Sequence, residues 1–97
     1  MPEKHPAVYI MANERNGKLY TGVTSNLPAR VWQHKNDLVE GFTKKHRAHL
    51  LVYFEMHGDM AAATLREIRL KRWRRKWKLA LIEKGNPGWR DLYEDIL

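Results

Sequence analysis

Two short apolar runs on either side of a turn signal set the first limit on the fold of this chain. Residues 7–12 (AVYIMA) and residues 18–24 (KLYTGVT) contain β-branched and aromatic residues, and the stretch NERNG lies between them. The pair Asn16-Gly17 is a strong hairpin signal, because both residue types tolerate a positive φ. The sequence therefore predicts an antiparallel β-hairpin near the start of the chain.

Tyr9 and Tyr20 stand eleven positions apart in this hairpin. Opposed residues in an unbulged hairpin have a constant index sum and share one face of the sheet. An even-numbered loop makes that sum odd, so both tyrosines fall on the same face. A loop centred between Glu14 and Arg15 makes them direct neighbours, whereas a loop centred on Asn16-Gly17 places them four residues apart along the strands. The sequence leaves these two registers open.

A capped helix is predicted directly after the hairpin. Ser25 and Asn26 are favourable cap residues, and Pro28 suits the first helical turn. Arg30 and His34 are an i, i+4 pair and therefore share a helix face. The helix is expected to reach residue 37 or 38. Apolar residues form its predicted inner face: Leu27, Val31 and Leu38, with Trp32 beside them.

The rest of the chain predicts a third strand and further helices. Residues 40–49 are basic and predicted to be irregular, and residues 49–55 (HLLVYFE) form a strand that is apolar along most of its length and hence central in the sheet. Asp59 caps a long helix with a break near Trp73 and an end at residues 85–87, which contain Gly and Pro. A C-terminal helix docked on the core is predicted from residues at helical spacing: Trp89, Leu92, Tyr93 and Ile96.

The element order β-β-α-β-α-α predicts an α+β fold with a small three-stranded antiparallel sheet flanked by helices. We expect residues 1–97 to form one domain, because the sequence contains no repeat, low-complexity segment or linker. The absence of cysteine excludes disulfides and thiolate metal sites. The sequence has neither an apolar stretch of roughly 18 residues nor a signal-peptide pattern, so we expect a cytoplasmic protein that does not span a membrane.

Positive charge dominates the sequence and concentrates on the long helix. Eighteen Lys and Arg against eleven Asp and Glu give a formal net charge of +7. Between residues 60 and 82 the basic residues are Arg66, Arg69, Lys71, Arg72, Arg74, Arg75, Lys76 and Lys78. A solvated face usually mixes both signs, so one-signed charge here and in the KKHR stretch at 44–47 indicates an anionic polymer as partner. The candidate contacts are Lys44, Lys45, Arg69, Lys71, Arg72, Arg74 and Arg75.

Glu67 is the only acidic residue between residues 60 and 82. In one interpretation it forms an i, i+4 salt bridge with Lys71, a contact that contributes only about 0.2–0.5 kcal/mol. In the other it holds a divalent cation, since Mg²⁺ is bound through one or two carboxylates together with substrate phosphates and waters. The apolar residues of the same segment are interpreted as core rather than as a base-stacking platform: Leu70, Trp73, Trp77 and Leu81.

These residues together resemble the GIY-YIG nuclease superfamily over a stretch from about residue 7 to residue 86. Residues 7–9 (AVY) correspond to the first family tripeptide, of which the tyrosine is kept. Residues 20–22 (YTG) correspond to the second, with Thr in place of Ile. The match continues in order with Arg30, His34 and Glu67. The length is similar to that of the small stand-alone bacterial members.

The resemblance implies a phosphodiesterase that uses one divalent metal ion, Mg²⁺ or Mn²⁺. It places the metal at Glu67 and Arg30 on the scissile phosphate, where the guanidinium offsets developing negative charge. Either Tyr9 or Tyr20 would activate or position the attacking water, with His34 as the proton partner.

Two further residues have roles implied by the resemblance. Gly22 would allow close approach of backbone or substrate, because it lacks a side chain. Asn86 is the candidate for a late asparagine that some members place near the metal carboxylate.

The expected activity is metal-dependent endonucleolytic hydrolysis of DNA in repair or recombination, with branched, nicked or damaged DNA as candidate substrates and RNA left open. So small a module is compatible with a protein partner that supplies specificity. The alternative is a non-catalytic DNA- or RNA-binding module or accessory subunit. Such a binder would lose affinity in salt but would not respond to Glu67→Ala or to removal of metal.

Overall fold

One antiparallel sheet of three strands organises the protein, whose computed structural model describes residues 5–97. The elements follow in chain order: β1 (Ala7–Ala12), β2 (Leu19–Thr24), α1 (Leu27–Lys35), α2 (Phe42–His46), β3 (Leu50–Met56), α3 (Met60–Arg72), α4 (Arg75–Gly85) and a 3₁₀ turn (Tyr93–Ile96). The strand order is β2-β1-β3, and both pairings are antiparallel. The predicted α+β class and three-stranded antiparallel sheet are confirmed.

The central strand is β1, so the prediction that the third strand is central was wrong. All six residues of β1 are buried, whereas only Leu51 and Val52 are buried in β3. The apolar character of β3 has another cause, because the C-terminal segment covers this edge strand. The Leu92 amide donates to the Leu51 carbonyl oxygen at 2.7 Å. An apolar run thus marks burial and does not by itself give the position of a strand in the sheet.

Side chains of β1 alternate between the two faces of the sheet, as the geometry of a strand requires. On one face Ala7, Tyr9 and Met11 pack with residues of α1. On the other face Val8 packs against α3, and Ile10 packs against α4. The two faces of one strand therefore contact different helices.

The hairpin register differs from both of the registers that the sequence left open. Tyr9 lies opposite Gly22, and Met11 lies opposite Tyr20, in a ladder whose pairs all have the index sum 31. The two tyrosines are therefore diagonal neighbours on one face. The prediction that they share a face is confirmed, whereas both predicted spacings were wrong.

Hydrogen bonds within the loop at residues 13–18 explain this register. Gly17 donates its amide to the Glu14 carbonyl oxygen at 3.0 Å, which closes a four-residue turn. The Lys18 amide donates to Asn13 Oδ1 at 2.8 Å. Asn16 takes the expected positive φ, 57°. Because it stands at the third position of the turn instead of the second, the loop centre moves by one residue.

The α1 helix begins as predicted but buries a different residue near its end. Asn26 Oδ1 accepts from the Ala29 amide at 3.3 Å. The helix ends at Lys35, and Leu38 is 60% exposed, so its place in the inner face was wrongly predicted. The buried residues of α1 are Leu27, Val31 and His34. A histidine thus occupies the inner face where an apolar residue was expected.

The long basic segment forms two helices, and the predicted break near Trp73 is confirmed. Asp59 Oδ1 accepts from the Ala62 amide at 2.7 Å and caps α3. Trp73 and Arg74 have extended backbone between α3 and α4, with ψ values of 147° and 148°. Leu70 is buried as predicted, but Trp77 is 49% exposed, so its assignment to the core was wrong.

Two other segments differ from their predicted structure. Residues 42–46 form the short helix α2 within the segment predicted to be irregular. The C-terminal helix is absent from the described residues, which end in a 3₁₀ turn. Asp91 Oδ1 accepts from the Leu51 and Tyr93 amides, each at 3.1 Å, and this holds the segment beside β3. Its side chains still dock on the core: Trp89 is buried, and Leu92, Tyr93 and Ile96 pack against buried residues.

Candidate active site

Three buried polar side chains form a continuous hydrogen-bonded chain beside the sheet. Tyr9 Oη lies 2.8 Å from His34 Nε2, and His34 Nδ1 lies 2.8 Å from Thr43 Oγ1. Tyr9, His34 and Thr43 are only 2%, 1% and 2% exposed. They come from β1, α1 and α2, so this short chain of contacts ties three elements together. We call these three residues the buried relay.

Burial fixes the protonation states in the buried relay. It lowers the pKa of His34 to about 4, with the nearby Arg30 charge acting in the same direction. The imidazole is therefore neutral at pH 7, with one nitrogen donating and the other accepting. Burial, followed by the effect of Tyr20, raises the pKa of Tyr9 well above its usual value of 10.0, so Tyr9 remains a phenol. Both hydrogen bonds are thus made by uncharged groups.

Tyr20 borders the buried relay and, unlike Tyr9, is partly exposed. Its ring centroid lies 6.3 Å from that of Tyr9 and 5.5 Å from that of His34. On its other side the Phe42 ring stacks on it at 6.1 Å. Tyr20 is therefore the tyrosine of the pair that lies between the buried relay and solvent.

Gly22 provides the space that the Tyr9 ring occupies. A Cβ atom at this position would lie 2.5 Å from both Cζ and Oη of Tyr9 and 3.0 Å from Cε2 of Tyr20. Real Cβ atoms essentially never approach other atoms within 3.0 Å. The resemblance implied that this glycine admits backbone or substrate, and here its neighbours are the two aromatic rings of the site.

Arg30 and Glu67 bring opposite charges to the same phenol. The Arg30 charge lowers the pKa of Tyr9 and the Glu67 charge raises it, although burial and Tyr20 have the first effects. Arg30 lies one turn before His34 on α1, and Glu67 lies on α3. Arg30 forms no ion pair within residues 5–97, so its charge is available to an anion.

Glu67 is compatible with both interpretations of its role. Its side chain is 13% exposed, and its carboxylate lies 3.3 Å from Lys71 Nζ, which is the i, i+4 bridge of the first interpretation. Across residues 5–97 no three His, Cys, Asp or Glu residues form a group that could hold a metal ion. A cage made only of protein ligands is therefore absent from this part of the chain. A single carboxylate fits the mode in which phosphate and water complete the coordination of Mg²⁺.

Asn86 has a different environment from these residues. It is buried, and its amide nitrogen donates to the Val52 and Arg90 carbonyl oxygens at 3.2 and 2.8 Å. Its Oδ1 accepts from the Arg90 amide at 3.1 Å. These bonds join the end of α4 to β3 and the C-terminal segment. We therefore leave Asn86 out of the site proposed below.

Comparison with known protein families identifies the family to which this chain belongs. A model of the GIY-YIG catalytic domain matches residues 5–80. This range includes the candidate site residues Tyr9, Tyr20, Arg30, His34 and Glu67. The chain belongs to the GIY-YIG family.

Small bacterial proteins are similar to this GIY-YIG chain over most of their own length. A UPF0213 protein of Staphylococcus haemolyticus is 39% identical over 77 residues, which are 79% of this chain and 93% of the relative. One from Staphylococcus epidermidis is 35% identical over 83 residues, or 86% and 99% of the two chains. One from Desulfotalea psychrophila is 32% identical over 80 residues, which are 80% of this chain and 72% of the relative. No solved structure matches the chain.

The GIY-YIG motif contains only part of the site. Thr43 completes the buried relay and Phe42 covers Tyr20, yet both lie in the segment predicted to be irregular. No pattern in the sequence marks Thr43, because its contact with His34 depends on where α2 docks. Phe42 is 37% exposed, and an exposed aromatic side chain of this size indicates a functional surface, but its exposure is visible only in the structure.

The predicted nucleic-acid contacts divide into two groups. Four already have a partner: Lys44 pairs with Glu40, Lys71 with Glu67, Arg74 lies over the Trp77 ring, and Arg75 donates to the Asn16 and Gly17 carbonyl oxygens. The other three are exposed and form no ion pair within residues 5–97: Lys45, Arg69 and Arg72.

No helix in the described part of the chain is long and apolar enough to cross a membrane.

Proposed function

We propose that this GIY-YIG protein is an endonuclease that hydrolyses DNA phosphodiester bonds with one divalent metal ion, Mg²⁺ or Mn²⁺. The arrangement that supports it best joins two helices at one phenol: Arg30, which forms no ion pair within residues 5–97, lies one turn before His34 on α1, and His34 is bonded to Tyr9. The charges of Arg30 and of Glu67 on α3 both act on that phenol. Phosphoryl chemistry needs such a combination, because a cation must meet the phosphate and a carboxylate must hold the metal ion.

Arg30 and Glu67 divide the electrostatic work in this proposal. Arg30 contacts the scissile phosphate and stabilises the negative charge that develops there. Glu67 would be the protein ligand of the metal, and Lys71, which lies 3.3 Å from that carboxylate, would then be available to the DNA backbone. The bound cation supplies Lewis-acid stabilisation of the phosphate oxygens.

We assign to Tyr20, and not to Tyr9, the role of activating or positioning the attacking water. It is partly exposed, whereas Tyr9 is 2% exposed and has its hydroxyl bonded to His34. Tyr9 and His34 then act as a support that fixes the position of Tyr20. Both nitrogens of the neutral His34 ring are already bonded, to Tyr9 and to Thr43, so we assign His34 to support and not to proton transfer. Thr43 is a positioning residue, because it acts only through His34.

The exposed cations Lys45, Arg69 and Arg72 are the contacts that we assign to the DNA backbone. Branched, nicked or damaged DNA in repair or recombination remains the predicted substrate class, and RNA stays open. A protein partner that supplies specificity and a cytoplasmic location also remain predictions.

The test is cleavage of flapped, forked, nicked and plain duplex DNA in Mg²⁺ or Mn²⁺. Glu67→Gln is expected to reduce the cleavage rate by about 10²-fold or more, and chelation of the metal is expected to abolish cleavage. Glu83→Gln, an exposed acid on α4, is the matched control and is expected to cut like the wild type. Cleavage that survives Glu67→Gln and chelation would refute the proposal.

A non-catalytic nucleic-acid-binding function is the second candidate, and the Glu67–Lys71 bridge favours it. At 3.3 Å the carboxylate already has a cationic partner, so it needs no metal to be satisfied. A pure binder would lose affinity with salt yet bind equally well with and without metal. Binding that is unchanged in Glu67→Gln, together with no cleavage of any substrate, would support this candidate.

A further inference from the structure

A basic pocket next to the candidate site is formed mostly by residues that belong to no family motif. Its volume is about 350 Å³, and it opens between the hairpin loop, α2 and the break between α3 and α4. Its lining residues are Lys18, Leu19, Phe42, Trp73, Arg75 and Lys78. Three of the six are cations and none is an acid.

The three cations of this pocket form no ion pair with any residue of the part of the chain that the structure describes. The Lys78 ammonium group has no hydrogen bond or ion pair with any residue that the structure describes. Its partial burial and the charges of Arg75 and Lys71 lower its pKa. Arg75 donates only to neutral carbonyl oxygens, those of Asn16 and Gly17, at 2.7 Å each. Cations that repel one another in a concave site are stabilised when an anion binds between them.

The pocket is connected to the candidate active site on two sides. Phe42, one wall of the pocket, stacks on the Tyr20 ring with centroids 6.1 Å apart. Lys71 lies 3.3 Å from the Glu67 carboxylate, and its charge also acts on Lys78. Lys71, beside Glu67, and Lys78, in the pocket, are therefore close enough for their charges to interact. An extended anion bound at Arg30 can continue past Tyr20 and Phe42 into the pocket.

We propose that this pocket binds the nucleotide next to the cleaved bond, with its phosphate on Lys78 and Lys18. Phe42, which is 37% exposed, offers apolar surface against which the nucleobase packs, as bases stack on aromatic side chains in proteins that bind unpaired strands. Trp73 closes the other side of the pocket, with Arg66 over its ring at 5.1 Å. This inference rests on the proposed function, because it assumes that the cleaved bond of the DNA strand lies at Tyr20. The ligand is a phosphodiester within a strand, since positive charge continues outside the pocket at Lys71, whose ammonium lies 3.3 Å from the Glu67 carboxylate.

The experiment measures binding without cleavage. Fluorescence anisotropy of a labelled DNA oligonucleotide in metal-free buffer with EDTA is followed over a series of salt concentrations. Lys78→Ala is expected to weaken binding and to lower the slope of log K against log salt by about one, the value for one lost phosphate contact. Lys84→Ala, an exposed lysine at the far end of the same helix, is the control and should keep the wild-type slope.

Two further variants separate phosphate binding from base stacking. Lys78→Arg retains the charge and is expected to keep most of the slope. Phe42→Leu is expected to weaken binding with little change in slope, because an uncharged side chain releases no counterions. An unlabelled mononucleotide competes with the labelled oligonucleotide only if the pocket binds a free nucleotide as its main ligand, and efficient competition would contradict a strand-bound phosphodiester.

The outcomes separate this inference from the proposed function. Equal slopes for Lys78→Ala and Lys84→Ala, with both proteins folded by circular dichroism, would overturn the pocket while leaving cleavage by the wild type untouched. A lower slope for Lys78→Ala in a protein that cuts no substrate would support the pocket and refute the nuclease. If Lys78→Ala does not fold, the slope of Lys78→Gln decides the same question.

Discussion

The two faces of β1 contain different chemistry although their residues alternate along six positions. One face places Tyr9 against His34 and Thr43, so a chain of polar groups crosses a buried region. The opposite face places Val8 and Ile10 against the apolar clusters of α3 and α4. Buried polar groups are costly unless they are hydrogen-bonded. The first face is therefore specified by its partners, and the second is specified by volume and burial alone.

The apolar face is expected to control stability without controlling activity. Ile82→Ala removes a fully buried side chain that packs against β1. It should lower the free energy of unfolding by about 2–5 kcal/mol, the usual cost of such a truncation, and leave the cleavage rate per folded molecule unchanged. Urea unfolding and cleavage assays measure the two quantities. A large loss of rate in folded Ile82→Ala would show that the two faces are not separable.

The face of the tyrosines is expected to tolerate no added volume at Gly22. A Cβ atom there would lie 2.5 Å from the Tyr9 ring, so Gly22→Ala must displace the ring and its bond to His34. Overpacking of this kind costs about 1–3 kcal/mol, and cleavage should fall as well. Gly88→Ala is the matched control, because a Cβ at position 88 meets no atom within 4 Å. If the two variants unfold at the same urea concentration, the assigned role of Gly22 is wrong.

The difference between the two faces also explains what the sequence could reveal. Local signals correctly located β1, the Asn26 and Asp59 caps, the break near Trp73 and the common face of the two tyrosines. His34 was predicted as a site residue, but hydropathy assigned its buried position to Leu38. Its burial depends on hydrogen bonds to Tyr9 on β1 and Thr43 on α2. Neither partner lies within the local pattern around His34. The hairpin register depended in the same way on hydrogen bonds within the loop.

The hydroxyl of Thr43 is expected to contribute a smaller but specific stabilisation. Thr43→Val keeps the shape of the side chain and leaves His34 Nδ1 buried without its protein partner. The free energy of unfolding should fall by about 1 kcal/mol or more, and cleavage should fall because His34 is less well fixed. Thr64→Val, at an exposed position on α3, is the control.

A double-mutant cycle tests whether the buried relay acts as one unit. Tyr9→Phe removes the hydroxyl at the other nitrogen of His34. Since both variants act through the same imidazole, the losses in Thr43→Val and Tyr9→Phe should not add in the double variant. Additive losses, or a Thr43→Val protein that matches Thr64→Val, would contradict a connected chain.

A dependence of stability on pH is expected from the polar face and not from the apolar one. His34 has a pKa of about 4 in the folded protein and about 6.5 when unfolded, so between these values the unfolded chain binds more protons. Its contribution to stability is therefore present above pH 6.5 and is lost as the pH falls towards 4, at no more than about 1.4 kcal/mol per pH unit. His34→Leu should remove this contribution, whereas Ile82→Ala should keep it at lower overall stability. Urea midpoints of the three proteins between pH 4 and pH 7 measure the difference, and parallel curves for wild type and His34→Leu would show that the imidazole is not held neutral by burial.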